Sequence, residues 1–269
     1  MPGIQIMLIS HDEYLKFTSP DVIDETLAFH AKGNYTIHKA TQHLSTLHHI
    51  PSHDLEKLSG NELILNTLAN ESERSAINLT PLPASHPLRR NNSCEHFGGR
   101  PMHFDTVRLL LAPLLVKSDS TYKRGYPSGG ALFPIEVFCI NLDDTIEAWP
   151  AETSALHLLS SSRTLEAHSS TINIQTLSRA ITAQNTAIGS PALALIFCIY
   201  LPKALFKYRY RGYRLSLMEA GSMYMLTDLR CKELHLRSRP WSGFTDHQIT
   251  KNLNLNPTLF LPACIQLIG

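Results

Sequence analysis

Long apolar runs are missing from this chain of 269 residues. The longest uninterrupted one, Ala192 to Leu201, is about half the ~20 residues that a membrane-spanning helix requires, so no membrane role is expected. The first residues, MPGIQIMLISHDEYLKF, have no basic stretch ahead of an apolar one and no small-residue cleavage site, so no secretory signal is expected. Charge is scarce too. Asp, Glu, Lys and Arg make up 17% of the chain, against the ~25% of an average soluble domain. Either a surface covered by another subunit or a large buried core produces such a shortfall. Neither sign dominates: Lys and Arg number 24, Asp and Glu 23, for a net charge of +1. That excludes a polyanion-coating protein and leaves no global field drawing the chain toward nucleic acid or anionic lipid. The five cysteines are odd in number and lack any CxxC spacing. Cys139, Cys198 and Cys264 sit in apolar runs, where a thiol acts as a small hydrophobe, so reduced thiols and a cytoplasmic location are expected.

Several signature motifs are absent as well. Neither GxGxxG nor GxxxxGK[ST] occurs, which disfavours a Rossmann or P-loop nucleotide site. Ser160, Ser161 and Ser162 have no GxSxG context for a serine hydrolase. The chain has 14 histidines but no HExxH or zinc-finger spacing. Their one local cluster, His48, His49 and His53, reads as solvent-exposed, and no metal site is expected.

What is present is a globular composition, 43% hydrophobic, with a break at Leu79 to Asn92 (LTPLPASHPLRRNN), where prolines and polar residues interrupt any regular pattern. The break suggests a helical or mixed N-terminal unit over residues 1–86, a candidate docking module, and a larger domain over residues 87–269. In the larger part, Phe104, Val107, Leu110, Leu111 and Leu114 recur with the spacing of a helix that buries one face. Ile135 to Leu142, Ala192 to Leu201 and Cys264 to Ile268 read as strands, Ile172 to Gln184 and Leu215 to Leu234 as helices. Strands separated by such helices indicate a layered α/β or α+β domain.

Two segments stand out chemically. In Tyr126-Pro-Ser-Gly-Gly-Ala-Leu-Phe-Pro134, paired glycines leave backbone amides open to a ligand that a Cβ would exclude, although a tight turn before a strand needs the same residues. Lys203 to Arg214 (KALFKYRYRGYR) holds five cations and three tyrosines with no acid. As an extended strand, this segment would place Lys207, Arg209 and Arg211 on one face and Tyr208 and Tyr210 on the other. That pattern suits a basic edge strand, a single-stranded nucleic-acid surface or an anionic-ligand site with a lysine base. A third segment, Arg239 to Asp246 (RPWSGFTD), reads alone as a Pro/Gly turn with a buried Trp.

Together and in this order, YPSGGALFPIEVF (Tyr126 to Phe138), ALFKYRYRGYRLSLMEAGSMY (Ala204 to Tyr224) and WSGFTD (Trp241 to Asp246) resemble the SagB-type, nitroreductase-like flavin dehydrogenases. The likeness is closest to the oxidase subunit of the microcin B-type thiazole/oxazole synthetases. FHAKGNY (Phe29 to Tyr35) extends it toward the N-terminus, so it spans nearly the whole chain. The resemblance implies an α+β nitroreductase-like fold, an antiparallel-rich sheet flanked by helices. It also implies FMN as cofactor and a homodimer with flavins at the subunit interface. The implied reaction is oxidation of peptide thiazolines and oxazolines to thiazoles and oxazoles during maturation of a ribosomally made microcin-like peptide. The implied partners are a YcaO-type cyclodehydratase, a zinc-containing leader-binding subunit and the precursor peptide.

The family's catalytic Lys-Tyr pair falls on Lys207 and Tyr208. Aromatising an azoline removes a proton from the former Cα and a hydride from the adjacent ring carbon, so the protein must supply a base and the geometry. By the same resemblance Ser128, Gly129 and Gly130 lie against the isoalloxazine ring, and Ser242 and Gly243 face its N5 and O4 edge. Arg90 and Ser93 are assigned to the phosphate, with Arg89 in reserve. Here the family's Arg-Ser-x-Arg run is replaced by RRNNSCEHF, with Glu95 in place of a second Arg. Two other functions remain open: a general NAD(P)H-dependent nitro or quinone reductase of the same fold, and a flavin-free RNA-binding scaffold.

Overall fold

The computed structural model describes residues 11–34, 51, 53–54, 59, 77, 79–120, 122–150, 153–168, 172–182 and 186–269. The chain divides into two compact units, one of residues 1–35 with 90–269 and one of residues 36–89. The first stretch of the sequence therefore belongs with the larger body, since Val22 is buried in that body's core. His48 and His49 of the histidine cluster lie outside the described residues.

The larger unit is built on a six-stranded, wholly antiparallel sheet, as the α+β expectation requires. Its strands are β1 (Ile135–Asn141), β2 (Ala155–Leu159), β3 (Thr164–Ala167), β4 (Leu193–Tyr200), β5 (Ser238–Trp241) and β6 (Phe260–Ile268), in the order β3-β2-β1-β4-β6-β5. Every residue of β4, LALIFCIY, is buried. Because successive side chains point to opposite faces, such a run needs cover on both sides. Leu193, Leu195, Phe197 and Ile199 enter one core, and Ala194, Ile196 and Cys198 the other.

Helices supply the two covering layers. On the first face lie α2 (Pro20–Gly33), α3 (Phe104–Leu111), α5 (Leu201–Tyr208) and α6 (Tyr210–Glu233). On the second lie α4 (Ile174–Thr182), through Leu177 and Ile181, and α7 (Asp246–Asn252), through Ile249. A short α1 (His11–Leu15) packs Tyr14 against Phe206 of α5. Each large side chain so enclosed removes roughly 1.5–3 kcal/mol of apolar surface from water, which fixes the sheet between its layers. Among the described residues no helix is long and apolar enough to cross a membrane.

The basic-aromatic segment is not a strand. It is the end of α5, a break at Arg209 and the first turns of α6. Leu201, Ala204 and Leu205 are buried at helical spacing, and this anchor outweighs the period-2 alternation of the exposed residues that follow. The break is sharp. Arg209 has φ 48° and ψ −136°, outside the helical region, and the Gly212 amide donates 2.8 Å to its carbonyl oxygen. Gly212 then passes so close to α5 that a Cβ there would lie 1.9 Å from the Ala204 carbonyl oxygen.

Candidate active site

Ending α5 at Tyr208 projects Lys207 and Tyr208 from the break rather than along a strand edge. The Lys207 Nζ sits 5.3 Å from the centre of the Tyr208 ring, and Lys207 is exposed while Tyr208 is half-buried. The Tyr208 hydroxyl packs onto Gly130, where a Cβ would come within 2.5 Å of it. The Ser128–Gly130 loop and the Lys-Tyr pair, about 80 residues apart in sequence, are thus brought into contact by the fold.

The loop's own conformation is costly. Gly130, Ala131 and Phe133 all have positive φ, of 65°, 55° and 49°. Such geometry in non-glycine residues is held only where surrounding contacts enforce it, and it concentrates at functional sites. One enforcing contact is the Phe133 amide, which donates 2.8 Å to Ser128 Oγ. Another is Leu215 of α6, packed beneath Gly129 so closely that a Cβ would lie 2.8 Å from its Cδ1. A Gly130→Ala chain is expected to lose about 1–2 kcal/mol from the left-handed backbone alone. For a domain of this size the midpoint of thermal unfolding should fall by about 2–8 °C. Loss of activity beyond that, as the methyl displaces Tyr208, would be measured on the folded fraction.

Behind the loop lies a group of charges, half-buried apart from the buried Glu219, that the sequence did not reveal. Glu136 on β1 is bonded to His157 Nε2 at 3.0 Å. Burial alone would raise its pKa, but the His157 bond and the charge of Lys203 outweigh it and hold Glu136 below the usual carboxylate range. The pKa of Lys203 on α5 is lowered as well, by burial, against the opposing charge of Glu136. Arg124 donates 2.8 Å to the Tyr126 hydroxyl and stacks 4.3 Å over Phe133. Glu219, on α6, is 3% exposed. Its pKa is pushed up to about 7 by burial, against the opposing pull of a Ser128 hydrogen bond and the Arg124 charge.

The proposed phosphate residues come together elsewhere. Arg90 donates 3.2 Å to Ser93 Oγ through Nη2 and 2.8 Å to Asp228 Oδ2 through Nε. Asp228, on α6, also accepts from the Ser238 hydroxyl of β5. With its side chain 2% exposed, Asp228 anchors and aims Arg90 from behind. A guanidinium edge beside a hydroxyl matches the donor set that a phosphate needs. Nearby, the Trp241 indole donates 2.7 Å to the Ile181 carbonyl oxygen and fixes the turn that carries Ser242 and Gly243. Gly243 lies against the Trp241 ring, 3.0 Å from it at the Cβ position, and Ser242 is exposed. Segment 239–246 is therefore strand β5, a tight turn and the start of α7, with Trp241 only half-buried.

The two groups sit on different parts of α6. Gly129 rests on Leu215 and Arg90 is tied to Asp228. Thirteen residues separate those anchors, about 20 Å along the helix axis and about 140° around it.

No protein-family model matches the chain. The chain is 34% identical over 264 residues to the microcin B17-processing protein McbC of Escherichia coli, covering 96% of this chain and 93% of that one. Its structure superposes with a TM-score of 0.82 on a chain of the E. coli microcin synthetase McbBCD complex with truncated pro-MccB17 bound, at 33% identity over 97% of both chains. A nitroreductase-type protein of Ralstonia eutropha, 17% identical over 75% of this chain and 91% of its own, shares the fold with a TM-score of 0.56.

Proposed function

Because the chain belongs to the family of the microcin B17-processing protein McbC, we propose that it is the FMN-dependent oxidase of a peptide-modifying synthetase. It converts thiazolines and oxazolines of a ribosomally made, microcin-like precursor into thiazoles and oxazoles. The observation that carries this reading is the seating of the Lys207–Tyr208 pair on the Gly130 loop, within a fold shared along nearly the whole chain with a member of the McbBCD complex. Its partners are a cyclodehydratase, a leader-binding subunit and the precursor peptide, and the assembly works in the cytoplasm. The unit formed by residues 36–89 is the natural docking module. Deleting it should release the chain from the complex while leaving FMN bound.

The residues suit FMN. Arg90 and Ser93 present a cation and a hydroxyl to the phosphate, held in place by buried Asp228. The backbone at Gly130, and the exposed Ser242 with Gly243, offer amides and a hydroxyl to the ring. When bound, FMN supplies the two-electron acceptor that dehydrogenation needs.

This chain's residues do the rest. Lys207 and Tyr208 draw the proton from the former Cα, and the contorted loop holds Tyr208 by contact with Gly130. The anchor of the Gly129 loop at Leu215 and the anchor of Arg90 at Asp228 lie about 20 Å apart along α6 and on different sides of it, which favours a site shared between two copies. Two copies therefore complete each site, the Arg90 group of one facing the Lys207 group of the other.

An Arg90→Ala chain tests the phosphate assignment. Losing a charge-assisted bond of roughly 1.5–3 kcal/mol should weaken FMN binding about ten- to a hundredfold, read by quenching of flavin fluorescence on titration. Unchanged affinity would move the phosphate elsewhere.

A further inference from the structure

Glu219 has no role in the family reading above, yet it is the most unusual carboxyl in the body. It stands in the middle of the buried stripe of α6, between Ser216, Ala220 and Met223. Its Oε1 is buried with no hydrogen-bond partner. That oxygen belongs to a side chain lining a small, partly open space between α5, α6 and the loop, shared with Gly129, Ala204, Tyr208, Gly212 and Ser216. About 10 Å³ is open there to the centre of a water molecule. This is the volume of one water, and a polar atom without a partner is what makes such a site wet. Ser216 does not compete, because its hydroxyl donates 2.8 Å to the Gly212 carbonyl oxygen. The free carboxyl oxygen and the tyrosine of the Lys-Tyr pair therefore face one water-sized hole.

Resting on the proposed oxidase function, we propose that Glu219 is a positioning residue of the reaction: through one buried water it takes over the proton that Tyr208 receives from the substrate. The former Cα–H bond breaks with its proton passing to the Lys207–Tyr208 couple; bound FMN would supply the two-electron acceptor for the hydride of the adjacent C–H bond. Tyr208 then yields its O–H proton to the water, and the water yields one to the Glu219 carboxylate. One O–H bond breaks and one forms, no further electrons move, and the couple is restored as a base.

The surroundings suit this task. Arg124 and Lys203 flank Glu219 with positive charge, the Ser128 hydroxyl and the Ile135 amide hydrogen-bond its carboxyl, and Tyr126 and Glu136 complete the charged neighbourhood. With burial placing the midpoint at about 7, the carboxyl can both accept and release a proton near neutrality. The sign follows directly. Below that midpoint Glu219 is protonated and cannot accept, so turnover should fall toward tenfold for each pH unit.

The test compares wild type with Glu219→Gln in the full chain, loaded with FMN and assembled with its synthetase partners. Wild type should oxidise azolines with an acidic limb centred near pH 7. Glu219→Gln should bind FMN equally, turn over at least tenfold more slowly at pH 8, and lose that limb. A second measurement needs no turnover. The infrared carbonyl band of a protonated acid should appear in wild type as pH falls through 7, be absent from Glu219→Gln, and shift its midpoint in Tyr208→Phe. Wild-type oxidation together with an unaltered pH profile in Glu219→Gln, or a carbonyl band indifferent to Tyr208→Phe, overturns the relay alone. A wild type that binds FMN and leaves azolines intact overturns the oxidase reading and the relay with it.

Discussion

A Lys207→Ala chain should purify yellow, with its full complement of FMN, and oxidise azolines roughly 10²–10⁴-fold more slowly than wild type, the span expected for removing a positioned base. Colour and activity separate because of where Lys207 lies. It is exposed at the end of α5, beside Tyr208 and remote from the Arg90–Ser93 group tied to Asp228. Truncating it removes no core contact, since Ala204 and Leu205 anchor α5. Tyr208→Phe should keep the ring that packs on Gly130 while losing the hydroxyl, and should fall by a similar factor. The same pair of variants decides between an azoline oxidase and a general nitro or quinone reductase, whose use of NAD(P)H does not call for a substrate-side base. Rapid flavin reduction by NADPH in wild type and both variants, with azolines left intact by all three, would establish the reductase. Measuring heterocycle formation by mass loss of two hydrogens per ring gives the readout.

The central architecture was legible because burial on two faces writes itself into composition. The unbroken apolar run at Leu193–Tyr200 and the apolar β1 both became interior strands. The amphipathic stripes became α3 and α4 within a few residues of their expected limits. Shorter elements left weaker traces. The edge strand β3 is mostly exposed, β2 is only five residues long, and β5 contains a proline, so each resembled a loop. The Lys203–Arg214 segment misled for a specific reason. Its alternating basic and aromatic residues fit period 2, but the residues that decide its conformation are the buried Leu201, Ala204 and Leu205 just before them.

The site divided in the same way. Some residues carried by motifs are brought together by the fold: Gly130 touches Tyr208, and Arg90 bonds to Ser93. The residues behind them carried no assignment. Glu219 and Asp228 support the loop and the arginine from α6; Glu219 stands within the Ala204–Tyr224 match without a role assigned to it, and Asp228 lies outside every match. A signal existed nonetheless. In LSLMEAGSMYMLTDL, each acid stands inside a stripe of small and apolar residues, with Ser216, Ala220 and Met223 around one and Met223, Thr227 and Cys231 around the other. A carboxylate on the buried face of a long helix needs a partner or a task, because burying it alone is costly. Glu136 is harder to find. It alternates with apolar residues on β1 as a solvent-facing residue would, and its partner His157 comes from the neighbouring strand.

Mixing two damaged chains, assayed at an FMN concentration that leaves Arg90→Ala largely empty, should restore activity if each site draws its two groups from different copies. An Arg90→Ala chain lacks the phosphate anchor but keeps its Lys-Tyr pair, while a Lys207→Ala chain has the reverse defect. If each site drew both groups from one chain, every site in any mixture would carry one of the two lesions. With the groups drawn from different copies, a mixed dimer has one doubly damaged site and one built wholly from intact parts. Dimers re-formed at random from equal amounts are half mixed, and half the sites in those are intact, so the mixture should reach about a quarter of wild-type activity under a two-fold symmetric assembly. The measurement is azoline oxidation after the two chains are unfolded and refolded together, or produced together with different affinity tags and purified through both. Purification through both tags isolates the mixed dimers and should raise the yield to about half. Activity that stays at the level of the separate variants would place both groups around a cofactor within one chain.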